Sequence, residues 1–113
     1  MIGIDIEDIC RFENKSSAFL NKVYTQTELD YCLSKKNPAP HLAARFCAKE
    51  AAIKALYGIG ISKVYFKDIE IFHSQNGHPK IRFLTELAKN IEANVSLSHD
   101  KTKAIAIVQI VKA

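Results

Sequence analysis

The sequence predicts an α+β fold: a mainly antiparallel sheet packed with one long central helix and shorter helices. Three observations carry this prediction. Isoleucines alternate with polar residues at the start of the chain, an alanine- and leucine-rich stretch without glycine or proline runs from His41 to Tyr57, and two stretches in the second half read as strand, turn and strand. With 113 residues there is room for one core and no internal linker, so a single domain over residues 1–113 is expected.

Taken in order, Ile2, Ile4 and Ile6 alternate with Gly3, Asp5 and Glu7, the period of a strand with one apolar face from which Asp5 points away. Thr25 followed by Glu28 is a capping box, in which each side chain satisfies a free backbone donor, and it predicts a helix from about there through Leu33. Asn37, Pro38 and Pro40 then break the chain. His41 to Tyr57 is the long helix, ended by Gly58. Val64 to His73 is β-branched and aromatic, Asn76-Gly77 supplies a tight turn, and Lys80 to Phe83 resumes, which predicts a hairpin. A short helix is expected near Thr85 to Ile91. Val95 to His99 and Ala104 to Val111 form a second hairpin across Asp100 to Lys103, its last strand apolar on both faces as a central strand should be.

Hydrophobic residues at 48% and charged residues at 25% provide a real core and argue against disorder. Asp5, Glu7 and Asp8 precede the first basic residue, Arg11, the reverse of a secretory signal's positive start. The most apolar run, Ala104 to Val111, is too short to span a bilayer. A cytoplasmic protein without membrane contact is therefore expected. Cys10, Cys32 and Cys47 are odd in number and lack a Cys-x-x-Cys pair, so they are expected as reduced core thiols rather than disulfide or zinc ligands. A net charge of +4 favours anionic partners, phosphates or acidic proteins. The basic residues are scattered and no nucleic-acid-binding pattern accompanies them, so nucleic acid is not an expected partner.

Glu50 falls within the helical arc of Leu42, Phe46, Ile53 and Tyr57, which puts a carboxylate on the apolar side. There it needs a partner. The candidates are an ion pair with Lys54 one turn on, a metal ion, or simple emergence of the helix end into solvent. Asp5 alone reads as a solvent-face strand residue, but a strand Asp5 opposite a helical Glu50 would be the one or two carboxylates that magnesium prefers. His99, after Ser96 and Ser98, is either a phosphate donor or an idle turn histidine. Asn76-Gly77 is a hairpin turn whose backbone donors can also meet an anion. Arg45, Lys49 and Lys54 are either a solvated helix face or an anion-binding group.

Gly3-Ile4-Asp5-Ile6, Arg45-Phe46-Cys47-Ala48-Lys49-Glu50-Ala51, Lys54-Ala55-Leu56, Asn76-Gly77-His78-Pro79 and Ser96-Leu97-Ser98-His99-Asp100 together resemble the bacterial holo-acyl-carrier-protein synthases, of the 4'-phosphopantetheinyl transferase family, in order and spacing from Ile2 to about Val111. The resemblance implies the 4'-phosphopantetheinyl transferase fold. It also implies an enzyme that moves the 4'-phosphopantetheine of coenzyme A to a serine of apo acyl carrier protein, supporting fatty acid biosynthesis. By the same resemblance Asp5 and Glu50 bind magnesium, and Lys54 and His99 join them as catalytic residues. Arg45, Lys49, Lys54, Ser98, His99 and the turn of Asn76, Gly77 and Pro79 lie near the coenzyme, and Arg11, with Phe12, meets an acidic carrier protein. A homotrimer with active sites between subunits is implied. Two positions depart from the family pattern: Cys47 stands where alanine is usual, and Tyr57 precedes Gly58 where glycine would follow Lys54-Ala55-Leu56 directly.

Overall fold

A computed structural model describes residues 1–113. Strand β1 (Ile2–Asp8) leads through a 3-10 turn (Ile9–Phe12) to helices α1 (Ser17–Val23) and α2 (Gln26–Leu33), then to the long helix α3 (Pro38–Gly58). A second 3-10 turn (Phe66–Asp68) precedes the hairpin of β2 (Ile69–His73) and β3 (Pro79–Phe83). Strands β4 (Glu92–His99) and β5 (Lys103–Lys112) follow. All strand pairs are antiparallel: β1, β5 and β4 form one sheet with β5 in the centre, and β2 and β3 form another. The predicted fold class is the observed one.

Several elements depart from the predicted ones for identifiable reasons. Pro38 starts α3 instead of breaking the chain, because a first-turn proline lacks only an N–H that has no helical partner anyway. Helix α1, absent from the sequence reading, is short and held by Ser16, whose hydroxyl accepts from the Phe19 amide at 3.1 Å. The helix expected near Thr85 to Ile91 is a pair of turns: the Ala88 and Ile91 amides donate three residues back, to Thr85 and Ala88. The first strand of the hairpin begins only at Ile69, after the 3-10 turn.

The sheet is buried on one face only. Register pairs Gly3, Asp5 and Glu7 with Val108, Ala106 and Ala104, and those three β5 residues are fully buried against α3. Ile2, Ile4 and Ile6 are more than half exposed on the other side, where Ile105 and Ile107 are exposed too. Asp5 does point away from the isoleucines, yet it points at the helix and not at solvent. The central strand is apolar on both faces, as expected, yet one of those faces is left uncovered.

Small residues set this arrangement. Ala48, Ala51, Ala52 and Ala55 on α3 are completely buried, and a side chain on Gly3 would meet the Ala51 carbonyl oxygen at 1.8 Å. Backbone therefore packs on backbone, at a separation that isoleucines on that face would prevent.

On its other side α3 is tied down by a buried ion pair. Lys49 and Glu28 have no exposed side-chain surface and meet at 2.7 Å. The Lys49 ammonium also donates to the carbonyls of Phe66 and Ile69, while Glu28 accepts from the amides of Thr25 and Ile71. The capping box predicted from Thr25 and Glu28 thus doubles as the joint between α2, α3 and β2.

Candidate active site

Where Gly3 lets β1 lie on α3, the side chains of Asp5 and Glu50 share one small region. Burial, then the charge of Asp5, pushes the Glu50 carboxyl above its usual range, while Lys54 pulls it down. Lys54 does not pair with Glu50, as one sequence reading had it. It reaches across to β1, donating to the Ile4 carbonyl at 3.0 Å and to Asp5 Oδ1 at 3.3 Å. The second Asp5 oxygen, Oδ2, is buried with no hydrogen-bond partner.

Strand alternation brings a third carboxylate, Glu7, to the same side. Burial, then the nearby charge of Asp5, pushes its carboxyl up to about 7, against the Arg11 guanidinium that bonds its Oε1. Glu7 was not singled out from the sequence, although its i, i+2 spacing from Asp5 was visible there.

A buried carboxylate oxygen without a donor, beside a second carboxylate raised by burial and then by the charge of the first, is a deficit that a hard cation removes. No cluster of three or more His, Cys, Asp or Glu converges on one point. Asp5 and Glu50 would supply two oxygens and leave the other positions to water and phosphate oxygens, the donor set that suits magnesium. The residues fit such an ion.

A cationic and aromatic cluster lies at the start of α3. The Arg45 guanidinium sits 4.5 Å over the Tyr31 ring and 3.2 Å from His73 Nε2, and the His73 ring stacks on Tyr31 at 4.4 Å. His41 is 5.8 Å from the Tyr31 ring and 6.3 Å from His99, and the Lys35 ammonium caps Tyr31 at 4.4 Å. Burial and the charges of Arg45 and Lys35 lower both His41 and His73. Arg45 and His99 were expected at a phosphate site; Lys35, His41 and His73 were missed, because only the fold brings α2, α3, β2 and β4 together here.

The hairpin residues lie at the opposite end of β4. Asn76 and Pro79 line a cavity of about 390 Å³ with Lys80 and Asn94, and Gly77 adopts the left-handed conformation that the turn requires (φ +82°). Asn94 is five residues from His99, roughly 17 Å along a strand. Shallow hollows sharing Asn94, Ser96 and Ser98 connect the two ends along the outer face of β4, beside the exposed isoleucines. Ser98 and His99 line the last of these, with Ile6.

The sequence pattern of the 4'-phosphopantetheinyl transferase superfamily matches residues 1–108. The holo-acyl-carrier-protein synthase of Carboxydothermus hydrogenoformans is 47% identical over 115 residues, covering 93% of this chain and 92% of that protein. The chain belongs to the holo-acyl-carrier-protein synthase family. The synthase of Chlamydia caviae is 43% identical over 114 residues, covering 94% of this chain and 92% of its own. Among solved structures, the synthase of Helicobacter pylori in complex with coenzyme A superposes with a TM-score of 0.83 at 36% identity, covering 97% of this chain and 99% of that one.

Within this member of the family, the motif residues divide between site and scaffold. Lys49, expected beside the coenzyme, has no exposed surface and faces Glu28 and two carbonyls, so in this chain it braces α3. Phe12, expected at the carrier surface, is 2% exposed and packs on Phe46; Arg11 beside it is exposed. The thiols also divide. Cys32 and Cys47 are buried, their thiols pushed up to about 11 and about 12 chiefly by burial, whereas Cys10 is exposed and not a core residue. Cys47 donates to the Ala104 carbonyl at 3.3 Å, so its departure from alanine is absorbed in the seam between helix and sheet. Tyr57 is exposed at the end of α3, three residues after Lys54.

Proposed function

We propose that this protein transfers the 4'-phosphopantetheine of coenzyme A to a serine of apo acyl carrier protein, giving holo carrier protein and adenosine 3',5'-bisphosphate, the step that readies the carrier for fatty acid biosynthesis. The observation that carries this reading is the unpartnered Asp5 Oδ2 beside Glu50 and Lys54, in a member of a family whose Helicobacter pylori representative is solved with coenzyme A.

Phosphoryl transfer requires positioning and charge neutralisation more than covalent participation by the protein. Asp5 and Glu50 would hold magnesium, which when bound would neutralise charge on the coenzyme pyrophosphate. Lys54, already against Asp5, swings its exposed ammonium onto the phosphoryl group under attack. Arg45 and His99, within the wider cationic cluster, hold phosphate oxygens, and the groove along β4 leads the rest of the coenzyme toward Asn76, Gly77 and Pro79. As the serine hydroxyl gives up its proton to solvent and its oxygen bonds to phosphorus, the phosphorus–oxygen bond to adenosine 3',5'-bisphosphate breaks. Arg11, exposed beside the acidic site, meets carboxylates of the carrier protein.

The chain acts as a homotrimer in this reading. Ile2, Ile4, Ile6, Ile105 and Ile107 form an outward apolar face that a monomer leaves in water, and the β4 groove runs along its edge. A second copy on the isoleucines would wall the groove and complete a site between subunits. Free thiols suit the reducing cytoplasm, and no helix is long and apolar enough to cross a membrane.

Intact-mass spectrometry of an apo acyl carrier protein incubated with this protein, coenzyme A and magnesium tests the proposal. A gain of about 340 Da, the covalent mass of one phosphopantetheine, abolished by chelator, is the expected result. Release of phosphopantetheine or phosphate from coenzyme A with no gain on the carrier would mean a metal-dependent hydrolase, and no change in either would mean a binding protein.

A further inference from the structure

Two carboxylates on the inner face of β1 are each capped by a basic side chain reaching in from solvent. Asp5, 13% exposed, is met by Lys54, and Glu7, also 13% exposed, by Arg11; both cations are 55% exposed. The first pair lies inside the phosphoryl site. The second joins that site to the surface on which the carrier protein is proposed to dock, because Glu7 neighbours Asp5 while Arg11 projects outward from the adjoining 3-10 turn.

Arg11 thus has two competing anions, Glu7 and the acidic carrier. Glu7 likewise has two competing cations, Arg11 and the divalent ion beside Asp5. We infer that Glu7 is a positioning residue that couples the two substrates' sites: carrier protein, by drawing Arg11 away from Glu7, strengthens cation binding at Asp5 and Glu50, and the cation in turn frees Arg11 for the carrier. The inference rests on the proposed transferase reading and extends it.

The physical basis is a change of local charge. While Arg11 sits on Glu7, its positive charge opposes a cation a few residues away; once it turns outward, that repulsion is removed and Glu7 faces the cation alone. Thermodynamic linkage makes the effect mutual, so a carrier that tightens the cation must itself bind more tightly when the cation is present. The exchange requires rotation of one exposed side chain and no movement of β1. Nearby, Lys103 is engaged by Asp8 and Lys54 by Asp5.

The experiment measures manganese affinity by electron paramagnetic resonance of the free ion. The full chain is held with coenzyme A, with and without an apo carrier protein whose acceptor serine is alanine, so that no transfer occurs. The expected result is a tightening of about fivefold on adding the carrier, absent in Glu7→Gln. In Arg11→Ala the cation is already tight without carrier and the carrier adds little. Equal tightening in wild type and Glu7→Gln would assign the effect to the carrier's overall negative charge and overturn the inference, as would no tightening in wild type or no manganese binding at all. Conversion of a serine-bearing carrier by the same wild-type preparation separates these failures from failure of the transferase reading.

Discussion

Asp5 and Glu50 share a partly buried region, where burial, then the Asp5 charge, raises the Glu50 carboxyl and one Asp5 oxygen is left unpartnered. Glu50→Gln keeps the shape and removes one charge. We expect turnover at limiting magnesium to fall by at least about tenfold, while the melting temperature of the metal-free protein is unchanged or raised, since the repulsion is gone. Near-normal turnover would remove Glu50 from the metal site. His41 and His73 give a second effect of single residues. Burial and the charges of Arg45 and Lys35 hold both below the ordinary value of 6.5. The unfolded chain therefore takes up protons near that pH before the folded chain does, so stability present above it is lost as pH falls toward the folded values. Melting midpoints followed between about pH 7.5 and 5.5 should fall in the wild type and fall less in the His41→Gln, His73→Gln double variant. If coenzyme A places phosphate near these rings, it should flatten the wild-type curve.

At the scale of elements, the contact of β1 with α3 makes the site. Gly3→Ala would force the strand off the Ala51 carbonyl, at a cost of about 3 kcal/mol, and would move Asp5 away from Glu50. Thermal unfolding and magnesium titration should both report the loss; a variant with native stability and metal affinity would show that the close approach is dispensable. Lys49→Met leaves Glu28 charged and buried with only amide donors, which predicts a loss of about 3 to 5 kcal/mol in denaturant unfolding. These two contacts also mark what the sequence made legible. The Thr25 and Glu28 capping box and the long helix were readable because their signals are local. The inward side of β1 was not, because alternation shows that two faces differ without showing which one meets the helix; the alanines of α3 decide that, and they are some fifty residues away. Lys49 was placed at the site by resemblance and removed to the scaffold by Glu28, a partner that only tertiary structure supplies. Asp5 and Glu50 were legible as a pair through two separate motifs that the resemblance links, whereas in the histidine cluster only His99 was singled out, because His41 and His73 come from other elements.

The whole molecule carries an apolar face that its own packing leaves uncovered. A strand in the middle of a sheet ordinarily buries its isoleucines, yet Ile105 and Ile107 face outward with Ile2, Ile4 and Ile6 beside them. In a monomer this face gains nothing from being apolar, and a charged residue there would be tolerated. Ile107→Glu separates the two cases, because Ile107 stands on the central strand between Ile4 and Ser96. If the outer face joins copies, analytical ultracentrifugation should show the wild type at the mass of three chains and the variant at one, with circular dichroism unchanged. Transfer to the carrier protein should fall in proportion to dissociation, since the β4 groove would lose its wall. A wild type that sediments as one chain while modifying the carrier normally would mean that each subunit carries a complete site and that the isoleucine face serves another purpose.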